Sequence, residues 1–217
     1  MATLETEGLR ERKKRQTREA IAEVAMRLFL ERGFDAVTVD DIARAADVSK
    51  KTVFNYFPAK EDLVFTRGAE RRAALVAAIR ARPPGTSIVQ PFRELTEEIL
   101  DRIERDPVDE TLAVPRLVMG SDALRDRLFI GWEEEARVLT PLVAEQSGEP
   151  ADGVVPAVVA RTLAWTHRQV FRSAFTRLLA GGERQSVVAE LRAEARRAYD
   201  LLEEGLGGYG ASGDGAA

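Results

Sequence analysis

An all-α fold follows from three observations on the chain. Apolar residues recur at helical spacing along most of its length, and no alternating strand pattern occurs. The breaks between periodic stretches carry glycine or proline, as in "PPGTSIVQP", "DPVD", "SGEPADG" and "AGG". With 217 residues and 45% hydrophobic content, the chain is long enough to bury a real core. It has no cysteine and a single histidine, His167. That composition removes disulfides, thiolate metal sites, cysteine nucleophiles and any site built from several imidazoles, so no metal and no cofactor is expected.

The elements follow in order. Residues 1–16 read as a flexible basic arm, because "RERKKRQTR" precedes any apolar periodicity. This arm either tracks DNA phosphates and a minor groove or stays solvated. From Thr17, the spacing of Ile21, Ala25, Leu28 and Phe29 predicts helix 1, ended by Gly33 in a left-handed position with Phe34 packing back on Phe29. Thr38 caps a short helix over 39–46 and forms a capping box with Asp41. Asp47 and Val48 make a turn, Ser49 caps helix 3 over 50–56, and Pro58 ends it. Helix 4 is expected to open at Lys60 and to run to about Arg82.

Two short helices joined by about three turn residues describe a helix-turn-helix. Val53 and Phe57 face its core, which leaves Lys50, Lys51, Thr52, Asn55 and Tyr56 outward. All five lysines (13, 14, 50, 51 and 60) fall in the first 60 residues. Residues 1–72 hold 15 Lys+Arg against 13 Asp+Glu, and the remainder holds 17 against 23, so the halves differ in sign within a formal net charge of -4. A general preference for arginine explains why lysine is scarce later but not why it clusters here. Cations at the exposed start of helix 3 fit a major-groove reader flanked by phosphate contacts.

The stretch "AIAEVAMRLFLERGFDAVTVDDIARAADVSKKTVFNYFPAKEDL" resembles the N-terminal DNA-binding domain of TetR-type transcriptional regulators. The resemblance implies an N-terminal three-helix DNA-binding domain over 17–62 and a helical ligand-binding and dimerisation domain over 63–205, while the glycine-rich composition of 206–217 predicts a disordered tail. The resemblance also implies DNA contacts from Thr38, Ser49, Lys50, Lys51, Thr52, Tyr56 and Lys60. Three positions depart from the family pattern: Asp47 stands where glycine is usual, Lys51 where glycine is frequent and Phe54 where tyrosine is common. Aspartate tolerates the left-handed conformation better than most residues, so the turn is expected to survive.

Further helical patterns cover 91–106, a short segment up to 121, 122–146, 156–180 and 186–204. In 156–180, Val159, Leu163, Val170, Ala174 and Leu178 make one stripe, while Phe171, Phe175 and Leu179 widen it. A second apolar face is explained either by a larger internal core or by pairing with a second copy. The resemblance favours a homodimer through helices near 156–180 and 186–204. Trp132 and Trp165 read first as core rings and His167 as a buried polar residue, yet Trp132, His167 and Phe171 are the candidates for contact with an effector.

No apolar stretch approaches the ~20 residues that a membrane span needs, and no signal-like apolar core precedes the basic arm, so a cytoplasmic location is expected. There is no phosphate-binding glycine loop and no nucleophile elbow, which argues against an enzyme. The expected function is transcription regulation by a dimeric repressor, released from a palindromic double-stranded operator by a hydrophobic small molecule. A constitutive helix-turn-helix regulator without an effector is the alternative.

Overall fold

A computed structural model describes residues 8–83 and 85–206. Among them the chain forms α1 (Leu9–Arg32), α2 (Val39–Ala45), α3 (Lys50–Tyr56), a 3-10 turn (Lys60–Leu63), α4 (Gly68–Ala81), α5 (Gln90–Arg105), α6 (Val108–Met119), α7 (Asp122–Ser147), α8 (Val154–Leu179) and α9 (Arg184–Leu206). The chain divides into two compact units. The first is Met1–Thr66 with Arg116–Arg127, and the second is Arg67–Pro115 with Leu128–Ala217.

In the first unit, α1 stops where expected. Gly33 has φ 84° and donates its N–H to the Phe29 carbonyl, and the Phe34 ring then returns to Phe29 at 5.0 Å. A side chain at that φ would be strained, which accounts for the glycine. Thr38 and Asp41 form the capping box: the Asp41 N–H donates to Thr38 Oγ1 at 3.1 Å, and the Thr38 N–H donates to Asp41 Oδ2 at 3.0 Å. Ser49 caps α3 by accepting the Thr52 N–H at 3.0 Å.

The turn between α2 and α3 is a Schellman arrangement. Val48 N–H donates to the Ala43 carbonyl, Asp47 N–H to the Arg44 carbonyl, and Asp47 takes φ 53°. Behind this turn Ile21, Phe29, Val37, Ile42, Val53, Phe57 and Leu63 are almost wholly buried. The corner between α6 and α7 belongs to the same unit. It is fastened there by Ser121 Oγ donating to Asp35 Oδ1 at 2.9 Å and by Arg127 Nε donating to Asp62 Oδ1 at 2.8 Å.

Two boundaries depart from expectation. The arm expected to be flexible over 1–16 is helical from Leu9, and residues 1–7 lie outside the described residues. Arg, Lys, Glu and Gln are good helix formers, and the Thr17 hydroxyl donates to the Lys13 carbonyl at 3.0 Å instead of capping a new helix. Helix 4 does not open at Lys60. A 3-10 turn is closed by Ala59 N–H donating to Asp62 Oδ2, and α4 begins only at Gly68. Leu63 and Val64 are drawn into the core, and the following Phe65 and Thr66 are poor helix formers, so the backbone breaks between them and α4. The expected tail over 206–217 lies outside the described residues apart from the last residue of α9.

In the second unit, α8 packs on α9, and α5 packs on α8, α9 and α4. The stripe Val159, Leu163, Val170, Ala174 and Leu178 is buried as expected. Phe171 and Phe175 also pack against this core, so they do not form a separate second face; Leu179 remains exposed.

Asp47 gives a direct check on the turn. A β-branched residue cannot take its φ cheaply, so Asp47→Val should cost about 1–2 kcal/mol, whereas Asp47→Gly should be neutral or stabilising. Urea denaturation followed by far-UV circular dichroism measures both.

Candidate nucleic-acid interface

The outward surface of the first unit is built from the starts of two helices. Thr38, Ser49, Lys50, Lys51 and Asn55 are exposed, while Thr52 and Tyr56 are half-buried, one turn apart on the same side of α3. Val53 and Phe57 are buried and fix the rotation of α3. Ser49 Oγ and Thr52 Oγ1 share a hydrogen bond of 2.7 Å, which orders the first turn. The Lys50 ammonium pairs with Asp40 at 2.8 Å on the exposed surface. Such a pair is weak in water and can be traded for a phosphate. Lys51 has no ion pair among the described residues and is the freest cation on the helix. The Asp41 carboxyl is held below its usual range by its hydrogen bonds to Thr38, so the cap stays ionised at neutral pH.

Phe54 is 42% exposed, an apolar ring presented outward from α3. The sequence marked it only as a tyrosine lost. Its exposure makes it an apolar contact candidate, since thymine methyl groups line the major groove.

Lys60 is engaged internally. Its ammonium donates to the Phe34 carbonyl at 2.6 Å and lies 4.1 Å from the centroid of the Phe34 ring. Burial lowers its pKa, opposed by Asp35 and Glu61. The structure therefore gives Lys60 a role in the α1–α2 loop, separate from the phosphate contact expected of it. Arg18 behaves similarly: its guanidinium stacks 4.8 Å over the Phe57 ring, and Nη2 donates to the Thr66 carbonyl at 3.4 Å.

The effector candidates part company in the second unit. Trp132 lines a cleft of about 430 Å³ between α7 and α8, together with Phe129, Ala136, Arg161, Thr162, Trp165 and Arg168. Phe129 meets Trp132 edge-on at 4.9 Å. Arg168 lies 5.3 Å from the Trp132 centroid, and its Nη2 donates to the Trp132 carbonyl at 2.9 Å. Its Nε is buried without a partner. Trp165, read from the sequence as a core ring, is 49% exposed at the rim. Sequence periodicity did not reveal Arg161 or Arg168 as cleft residues, because both lie one step off the buried stripe of α8.

His167 and Phe171 do not line this cleft. His167 Nδ1 shares a 2.7 Å hydrogen bond with Thr96 Oγ1, which shares another of 2.7 Å with the Tyr199 hydroxyl, and Phe171 packs edge-on to the imidazole at 4.7 Å. Burial, with Arg71 and Arg168 nearby, pushes the His167 pKa down to about 3, and burial pushes the Tyr199 hydroxyl up to about 12. Both groups are therefore neutral throughout the physiological range.

Residues 21–66 match the family model described as bacterial regulatory proteins, tetR family. The chain is 33% identical over 150 residues to the HTH-type transcriptional regulator TcmR of Streptomyces glaucescens, covering 67% of this chain and 66% of that protein. It is 29% identical over 202 residues to the putative mycofactocin biosynthesis transcriptional regulator MftR of Mycobacterium tuberculosis, covering 90% and 93%. The solved complex of SmeT with triclosan shares the fold at a TM-score of 0.55 and 19% identity, over 88% of this chain and 91% of that one. No helix among the described residues is long and apolar enough to cross a membrane.

The depressed His167 pKa fixes a pH dependence. The folded chain keeps the imidazole neutral, whereas the unfolded chain protonates it below about pH 6.5. Its contribution is complete above pH 6.5 and is lost as pH falls from there towards 3, by about 1.4 kcal/mol per unit. Urea midpoints of the wild type and His167→Gln between pH 7.5 and 5 should converge by about 2 kcal/mol. Parallel curves would show that His167 titrates normally in the folded chain.

Proposed function

Since the chain belongs to the tetR family of bacterial regulatory proteins, we propose that it is a homodimeric repressor that binds a palindromic operator and is released by a hydrophobic small molecule. The observation that carries this reading is the α2–α3 pair, a capped helix-turn-helix whose second helix turns Lys50, Lys51, Phe54 and Asn55 outward while Val53 and Phe57 hold it in the core. Thr38, Ser49 and Tyr56 then flank the reading face as backbone contacts.

Dimerisation is supported by the outer side of α8. Val158, Trp165 and Leu179 are exposed at steps of seven and fourteen residues, so they share one side of the helix, and Leu201 is 69% exposed on α9. An apolar row of this kind fits pairing with the same row of a second copy. The effector is assigned to the α7–α8 cleft, where three aromatic rings offer an apolar surface. A continuous helix also connects that cleft to the DNA-binding unit: α7 starts at Asp122 within it, and its later turns carry Phe129, Trp132 and Ala136. The break before α4 removes the route through a helix opening at Lys60. By linkage, a ~100-fold loss of operator affinity needs about 2.7 kcal/mol of coupling, and operator must weaken effector binding equally.

Two measurements test the reading. Lys51→Ala should weaken binding to the selected operator and lower the slope of log affinity against log salt by about one, or relax selection at one base pair if the lysine reads a base. Unchanged affinity would move the interface elsewhere. Light scattering of Trp165→Glu with Leu179→Glu should show monomers where the wild type shows dimers, since paired apolar rows do not admit buried carboxylates. A dimer that survives both substitutions would place the contact on another face.

A further inference from the structure

The start of α2 carries two aspartates with different duties. Asp41 serves the cap: it accepts from the Thr38 backbone and hydroxyl, and Arg44 pairs with it at 3.5 Å. Asp40 takes no part in the cap. It is exposed, and its one side-chain partner among the described residues is Lys50, ten positions later in the first turn of α3. Lys50 has no other side-chain partner among the same residues.

The pair joins the starts of both short helices across the turn. Its Nζ–Oδ2 distance of 2.8 Å is that of a full hydrogen bond, and more than half of each side chain stays open to solvent. A phosphate that reaches Lys50 on this surface must therefore come close to Asp40 as well. It meets a cation that is already neutralised and a carboxylate that repels it. The helices do not need the pair to hold their places, because Thr38 and Ser49 cap them and Ile42, Val53 and Phe57 are buried behind them. An ion pair this exposed adds little to folding, so its effect is felt at the surface where it stands.

Resting on the DNA-binding reading above, we infer that Asp40 is an internal competitor for DNA phosphate, which occupies Lys50 in the free protein and lowers affinity for every sequence alike. The chain must break or share this pair each time it settles on a duplex. Phosphate contacts dominate binding to non-operator DNA, so the competitor limits how much protein that DNA retains. It carries no base information and leaves the choice of operator unchanged.

The test uses the full chain with two duplexes of equal length, the operator it selects and an unrelated sequence. Affinities of the wild type, Asp40→Asn, Lys50→Ala and the double variant are measured at several salt concentrations. Asp40 is exposed and outside the cap, so Asp40→Asn should fold, which its circular dichroism confirms. It should bind both duplexes about two- to fivefold more tightly per protomer, and the gain should widen as salt is lowered, because exposed ion pairs are screened. With Lys50→Ala already present, replacing Asp40 should gain roughly half as much or less, the double-mutant signature of a shared pair. Equal gains in the two backgrounds would mean that Asp40 only repels phosphate directly, no gain would make it inert, and a loss confined to the operator would make it a base reader; each overturns the competitor. Failure of the wild type to bind either duplex would instead overturn the DNA-binding reading on which it rests.

Discussion

The DNA-binding unit depends on where Lys60 puts its ammonium. A partly buried amine must find an acceptor, and the one it finds is the Phe34 carbonyl, just past the glycine that ends α1. The same ammonium lies over the Phe34 ring, which is itself packed on Phe29. One cation thereby ties the segment after α3 to the loop before α2, and the two short helices are held between these fixed ends. Neither helix could hold its orientation from its own residues, since seven-residue helices are unstable alone. Caps set where they begin, and the Lys60 clasp and the buried Val53 and Phe57 set how they are presented.

What was legible in the sequence was local. Gly33, the Thr38–Asp41 box, the Ser49 cap and the unusual Asp47 turn are decided by residues within five positions of one another, and each stands as the spacing predicts. What was not legible depends on distant partners or on competition. Lys60 looks like a free cation until Phe34, 26 residues earlier, supplies its carbonyl. The start of α4 was hidden because Leu63 and Val64 satisfy helical spacing while the core recruits them for a different backbone path. The start of α1 was hidden for the opposite reason: periodicity reports burial, and its first turns bury nothing.

The second unit shows the same division. Periodicity in α8 identified the buried stripe, because burial repeats with the helix. It could not separate Phe171 and Phe175, which pack on the core, from Trp165, which faces outward, since all are large aromatic residues on one helix. The fate of His167 depended on Thr96, 71 residues away on α5.

The chain of hydroxyls that ends at His167 has a direction. When Nδ1 of the neutral imidazole accepts from Thr96, that hydroxyl has only lone pairs to offer Tyr199 and the phenol donates; when Nδ1 carries the proton, both bonds run the other way. Each group then has one role, and the three come from α5, α8 and α9. If α9 slipped by a single turn against its neighbours, aliphatic contacts could re-form almost anywhere, but the Tyr199 phenol would lose Thr96 and be left without a mate in a dry interior. The relay is therefore a vernier mark: it makes one sliding position of α9 distinguishable from positions that greasy packing alone would treat as equivalent.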